Sequence, residues 1–217
     1  MEFIKQLFDF ILHIDQYLST WVSTYQMWTY LLLFAIIFCE TGLVVTPFLP
    51  GDSLLFAAGT IAAMDGNPLN VFVLIIILLI AAFAGDNTNF FIGRLIGKTV
   101  YEKNYKLIKK EYLNKTHAFY EKHGGKTLVI ARFMPIIRTF APFVAGVGTM
   151  KYLRFISFSI IGNILWVVSF SLAGYFFGNI PSVKHNFTLV ILTIITISLL
   201  PSVIAIIKHN YSKNKSA

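Results

Sequence analysis

Apolar residues run through the chain in long blocks, and the polar residues that interrupt them recur at helical rather than strand spacing. Residues 69–92, 155–178 and 187–207 are apolar over lengths that reach the ~20 residues a helix needs to cross a bilayer. The first of these closes on Gly85-Asp86-Asn87-Thr88-Asn89, which predicts a polar last turn, and the second carries Asn163 and Trp166. Two further apolar stretches, 30–63 and 127–150, are interrupted. Pro47, Pro50, Gly51 and Asp52 break the first, and Pro135, Pro142, Gly146 and Gly148 break the second. Proline removes a helical hydrogen bond and clashes with the preceding turn. Irregular backbone in hydrocarbon is tolerated only where protein or a wet cavity covers it. Each broken stretch therefore reads as a re-entrant hairpin whose two half-helices enter and leave by one face.

Two segments are amphipathic. Phe3, Leu7, Phe10, Ile14, Tyr17 and Trp21 recur at steps of three and four, opposite Lys5, Asp9, His13 and Gln16, which predicts a surface helix over 1–26. The start carries little positive charge and lacks a small-residue cleavage site, so it reads poorly as a signal peptide. Tyr101, Tyr105, Ile108, Tyr112 and Phe119 form a stripe through a lysine-rich run, which predicts a second such helix over 98–123. Eight lysines between 98 and 126 put that helix on the cytoplasmic side, and Lys151, Arg154, Lys208, Lys213 and Lys215 follow it there. The loops near Asp65 and Lys184 are poor in positive charge and fall outside, which makes the C-terminus cytoplasmic and leaves the side of the N-terminus open. The reading is an all-α integral membrane protein of one domain, 1–217. It has about three full spans, two interfacial amphipathic helices and two re-entrant helical hairpins arranged as an inverted repeat.

The repeat is carried by small motifs. Each half reads amphipathic helix, broken hairpin, full span. The hairpins share Phe-x-Pro (Phe48 to Pro50, Phe133 to Pro135) and then Ala-Gly (Ala58-Gly59, Ala145-Gly146), and the spans share Gly-x-x-x-Gly at Gly93 to Gly97 and Gly174 to Gly178. Small residues at that spacing let helix backbones approach closely, and inverted repeats with interrupted helices mark secondary transporters.

Composition agrees with this picture. Apolar residues make up 56% of the chain and charged ones only 13%, half the soluble norm. The lone Cys39 excludes a disulfide framework and any cysteine-based metal site. The +8 balance is clustered at predicted membrane edges, so it argues for topology and against nucleic acid as partner.

Against that background the charges inside apolar stretches stand out: Glu40, Asp52, Asp86, Arg132 and Arg138. A charge at mid-bilayer costs ~2.5–3.5 kcal/mol on insertion scales. Arg138 lies twelve residues past Lys126, a helical rise of ~18 Å, which is deep for snorkelling. Either it pairs internally with an acid, or it presents a planar fork to an anion such as phosphate. Arg132 is the second candidate phosphate ligand, with snorkelling as its alternative. Glu40 has no basic neighbour within ten positions. Asp52 reads as a helix N-cap that could also exchange protons, because a carboxyl out of bulk water holds its proton more tightly. Asp86 reads as structural, pairing with Arg94 or closing a helix end. One hairpin thus holds acids and the other bases. Converging, they would make a mid-membrane site for an anionic headgroup with a proton as driver.

These residues resemble the DedA family, whose eukaryotic relatives share the VTT domain. The matching text is Glu40, Pro50-Gly51-Asp52-Ser53-Leu54, Gly59, Gly85-Asp86-Asn87-Thr88-Asn89-Phe90 and Gly93-Arg94. It continues with Gly97, Arg132-Phe133-Met134-Pro135-Ile136-Ile137-Arg138-Thr139, Pro142, Ala145-Gly146, Met150, Phe155, Gly162 and Trp166, covering about 30–180. The chain has Asp52 where many relatives have Glu, and Asn89 where an aromatic is common. The resemblance implies a lipid transporter of the bacterial cytoplasmic membrane. Similar bacterial members are implicated in returning undecaprenyl phosphate to the cytoplasmic leaflet with the proton gradient. It implies Arg132 and Arg138 as phosphate ligands and Glu40 and Asp52 as proton-coupling acids, with Asp86, Arg94 and Thr139 as accessory candidates. No enzyme activity and no cofactor beyond the proton gradient is expected, since the histidines lie outside the broken core and no nucleophile–base pair is visible. A passive phospholipid scramblase and a proton/cation antiporter are the alternatives, and a homo-oligomer stays open.

Overall fold

The computed structural model describes residues 20–43 apart from 23 and 26, then 51–64, 67–103 and 124–148, and 150–200 apart from 188, 195, 198 and 199. These form seven helices, α1 (Trp28–Gly42), α2 (Gly51–Ala62), α3 (Val71–Lys103), α4 (Lys126–Ala131), α5 (Pro135–Val147), α6 (Tyr152–Phe177) and α7 (Pro181–His185), preceded by helical residues between 20 and 25 and followed by helical residues between 187 and 200. There is no strand among the described residues. Most of the 1–26 surface helix and of the 98–123 helix lies outside the described residues, as do Pro47, Pro50 and the end of the 187–207 stretch.

Two helices, Val71–Gly97 within α3 and α6, are apolar over 27 and 26 residues. At 1.5 Å per residue that is about 40 Å, more than the ~30 Å hydrocarbon layer. The helices α1, α2 and α5 have 15, 12 and 13 residues and reach only about 18–22 Å. Both long helices turn large apolar residues outward (Phe72, Ile76, Ile80 and Leu95 on α3; Leu153, Ile160, Ile164 and Phe176 on α6), while Glu40, Asp86, Arg132 and Arg138 are buried. Apolar outside and charged inside is the distribution lipid selects.

Local chemistry explains the boundaries. Asn70 starts α3, its Oδ1 accepting from the N–H groups of Phe72 (2.9 Å) and Val73 (3.3 Å). Pro135 separates α4 from α5. Met134 before it is extended, at φ −123° and ψ 100°, as a residue preceding proline prefers, and Pro135 then opens α5, where its missing N–H costs nothing. Pro142 lies inside α5 without ending it, so only one of the two prolines breaks this stretch. Asp52 falls in the first turn of α2 rather than at its cap, a position where a carboxylate still favours the helix dipole. The polar run Gly85–Asn89 does not end a helix either: α3 continues to Lys103. The side chains of Asn87 and Thr88 bond back to the carbonyls of Phe83 (2.7 Å) and Ala84 (2.9 Å), so the helix carries them without losing its ladder.

The chain packs as two compact units, one of residues 1–32, 50–76 and 167–217, the other of 33–49 and 77–166. In the first, a Cβ on Gly174 would collide with the carbonyl of Phe56, one on Gly59 with the carbonyl of Ser171, and one on Gly178 with Thr60. In the second, a Cβ on Gly93 would collide with the carbonyl of Phe143, one on Gly146 with that of Phe90, and one on Gly97 would press on Val147. The pattern is the same in both. A glycine of the long helix meets the residue three before the short helix's glycine, and the reverse holds too. The paired motifs of the sequence thus become one backbone-to-backbone contact built twice. The second unit adds an aromatic core in which Phe90 and Phe155 stack at 4.2 Å, packed with Leu128, Ala141, Ala145 and Met150.

Gly146→Val should therefore lower the unfolding midpoint in detergent by the equivalent of about 2–3 kcal/mol, as overpacking against backbone does. Leu95→Val on the exposed face of α3 should leave it unchanged. A thermal melt of the two variants checks this, and equal midpoints would contradict the contact.

Candidate functional site

Four of the five charges sit in the second unit, presented by three segments, and a fourth segment adds their uncharged partners. The C-terminal turn of α1 brings Glu40. The middle of α3 brings Asp86, Asn89 and Phe90, which share a face at i, i+3 and i+4. The α4–α5 break brings Arg132 and, one turn into α5, Arg138. The face of α6 at i, i+4 and i+7 brings Ser159, Asn163 and Trp166. All of these side chains are buried, the four charged ones at 3% exposure or less.

The charges form two ion pairs. Arg138 Nη2 meets Glu40 Oε1, and Arg132 Nη2 meets Asp86 Oδ2. Arg138 also lies over the Trp166 ring, its Cζ 4.5 Å from the centroid, an additional contact for a desolvated cation. Asp86 Oδ2 accepts two more hydrogen bonds, from the Ser159 hydroxyl and from Asn163 Nδ2 at 3.1 Å. Asn163 Nδ2 also reaches Ser159 Oγ at 3.3 Å, so both donors are held together. Gly162 leaves room for the Arg132 stem, whose Cγ would be 3.1 Å from a Cβ there. Three polar atoms of this cluster, Asp86 Oδ1, Arg132 Nη1 and Asn163 Oδ1, have no hydrogen-bond partner among the described residues.

Asn89 fastens the frame. Its Nδ2 donates to the carbonyls of Thr41 (3.1 Å) and Thr139 (2.6 Å), tying the residue after Glu40 to the residue after Arg138. The Thr41 hydroxyl bonds back to the Ile37 carbonyl at 2.8 Å, and a Cβ on Gly85 would collide with it, so α1 and α3 approach closely there.

Several expectations change. Asp86 pairs with Arg132, not Arg94. Arg94 lies eight residues further along α3, a rise of about 12 Å, and is exposed. Arg132 is buried rather than snorkelled, at 3% exposure. Asn89, which stands where an aromatic is common in the family, is a structural tie at the centre of the site. Ser159 and Trp166 were also missed as partners of the charges. Their i, i+4, i+7 spacing with Asn163 on an apolar helix was the available signal. Thr139 contributes its carbonyl. Asp52 is buried in the first unit, at 5% exposure.

Comparisons with known proteins identify the class. The VTT domain model matches residues 49–176. The chain is 55% identical to protein DedA of Escherichia coli K12, with all of both chains aligned. It is 45% identical to an uncharacterized membrane protein of Mycobacterium tuberculosis H37Rv, over 78% of this chain and 75% of the other. It is 34% identical to the inner membrane protein YqjA of Escherichia coli K12, over 70% and 69%. No solved structure matches. The chain is a membrane protein of the DedA family and contains its VTT domain.

The geometry predicts an asymmetry in how the Arg132–Asp86 pair responds to substitution. Asp86→Leu alone should destabilise by about 3–5 kcal/mol, because it leaves a buried guanidinium uncompensated, whereas Asp86→Leu with Arg132→Met should recover most of that loss. Unfolding in mixed detergent measures both. A double variant no more stable than the single one would contradict the pairing.

Proposed function

We propose that this protein carries undecaprenyl phosphate from the outer to the cytoplasmic leaflet of the bacterial inner membrane, driven by the proton gradient and without covalent chemistry or a cofactor. The observation that supports this most is the pair of arginines flanking a proline break, each buried in a membrane protein and each already matched by a carboxylate. A guanidinium that pairs with a carboxylate oxygen can also donate two parallel hydrogen bonds to a phosphate monoester. The identity of the polyprenyl carrier comes from the family resemblance. Residue chemistry reaches an amphiphilic phosphate.

In this reading the short helices α1–α2 and α4–α5 dip into the bilayer as two re-entrant hairpins of an inverted repeat, since none of them is long enough to cross alone. The loop charges put the C-terminus in the cytoplasm. Proton coupling follows from the ion pair. Protonating Glu40 removes its claim on Arg138, so an arriving phosphate finds a free fork and site charge stays balanced. Asp52, buried in the first turn of α2, is the second coupling acid that the resemblance implies. A proton/cation antiporter would use the acids but give the arginines no ligand. A scramblase would move the lipid but ignore a pH gradient.

Proteoliposomes separate these readings. An inward-directed proton gradient should accelerate transfer of a fluorescent prenyl phosphate between leaflets, and flux indifferent to the gradient would favour a scramblase. Arg138→Lys should reduce the flux at least about tenfold, because a point charge lacks the fork. Glu40→Gln should flatten its dependence on pH. Wild-type flux in the first variant, or a wild-type pH profile in the second, would remove that residue from its role.

A further inference from the structure

Arg132 is held by Asp86, a residue the transport reading leaves without a task. The network around it is lopsided. Oδ2 takes Arg132, Ser159 and Asn163, while Oδ1 on the other edge of the same carboxylate has no partner among the described residues. Arg132 is lopsided in the same way, bonded through Nη2 with no hydrogen-bond partner for Nη1, and Asn163 Oδ1 is a third such atom. A structural salt bridge that had to stay closed would gain by pairing both edges of fork and carboxylate. Here one oxygen and one nitrogen stay in reserve at sites no more than 3% exposed.

We infer that Asp86 holds the seat on Arg132 that a lipid phosphate takes during transport, and that the carboxylate gives up that seat by taking a proton from the aqueous phase. The Arg132–Asp86 pair is neutral. If a phosphate displaced an ionised Asp86, two anions would face one guanidinium at a site without bulk water, a costly arrangement. If Asp86 leaves as the neutral acid, the phosphate replaces one negative charge with another. Ser159 and Asn163 then set the threshold. Both donate to the same carboxylate oxygen, which ties Asp86 to its seat until a ligand and a proton arrive together. The charged groups bearing on this exchange are Arg132, from the α4–α5 break, and Arg138 and Glu40, which act on Arg132 electrostatically. From α6 only the uncharged Ser159 and Asn163 bond to Asp86. Protons would thus be counted at Asp86 as well as at Glu40, one carboxylate for each arginine.

This rests on Arg132 being a phosphate ligand, and the test keeps the two claims apart. The purified full-length protein in detergent is titrated with farnesyl phosphate, with farnesol as the tail-only control, from about pH 6 to about pH 8. Preference of the wild type for the phosphate, growing as pH falls, supports the transport reading. No preference over farnesol ends that reading and this inference with it. Asp86→Asn should bind farnesyl phosphate about tenfold tighter than wild type at the alkaline end, with a pH dependence shallower by about one proton. The titration of the ligand itself is common to both proteins and cancels in the difference. Asp86→Glu should restore the wild-type slope. Equal slopes in wild type and Asp86→Asn, or a folded Asp86→Asn that no longer binds, would overturn the exchange while leaving the transport reading intact. Ser159→Ala supplies the same test without removing a charge. It should tighten alkaline binding severalfold by loosening the hold on the carboxylate, and unchanged or weaker binding counts against the exchange.

Discussion

A guanidinium cannot shed its proton under any ordinary condition, so a chain that buries two of them away from water must supply two matching anions. That single requirement organises the second unit. Arg132 and Arg138 stand on either side of the Pro135 break, and Asp86 and Glu40 come to them from other helices. The neighbouring polar and aromatic contacts described above serve these two pairs. Trp166 covers one cation, Ser159 and Asn163 saturate one carboxylate edge, and Asn89 ties together the backbones that bear Glu40 and Arg138. Desolvation cancels much of the Coulombic gain, so each pair adds little net stability while the loss of one partner costs a great deal.

Holding such a cluster in place without bulk water requires a stiff surround. The glycine contacts provide it. Gly93 and Gly146 bring α3 and α5 together at backbone distance, and Gly59 and Gly174 do the same for α2 and α6 in the other unit. Without a hydrophobic drive between helices in lipid, close packing of this kind is what remains to hold them. The same contact is built twice from two short motifs. Each half needs one long helix, one short helix and one glycine face.

Much of this is legible in the sequence because membrane insertion makes charge and proline conspicuous. Glu40, Arg132 and Arg138 stand out against apolar neighbours, and the Ala-Gly and Gly-x-x-x-Gly motifs already mark the faces that meet. What stays hidden is partnership. Asp86 is eight residues from Arg94 in sequence, which makes that pair look natural, yet the helix carries Arg94 to the exposed end while its own turn faces Arg132. The polar run 85–89 reads as a helix end because polar residues usually close spans. It continues because two of its side chains bond to their own helix and two more bond across to others. Asn89 escapes notice for a related reason. Its work is done on backbone carbonyls, which carry no sequence signature.

The central claim is that carboxylate and phosphate compete for the same guanidinium forks. Solid-state NMR on protein labelled at the arginine guanidinium and carrying a prenyl phosphate reads that competition directly, through the dipolar coupling between ³¹P and the guanidinium nitrogens. At mildly acidic pH both arginines should show phosphorus within about 4–5 Å, as a bidentate phosphate requires. The couplings between the guanidinium nitrogens and the Glu40 and Asp86 carboxylates should weaken in step. Full arginine–carboxylate coupling that persists with the lipid bound, and no phosphorus near either arginine, would contradict the account.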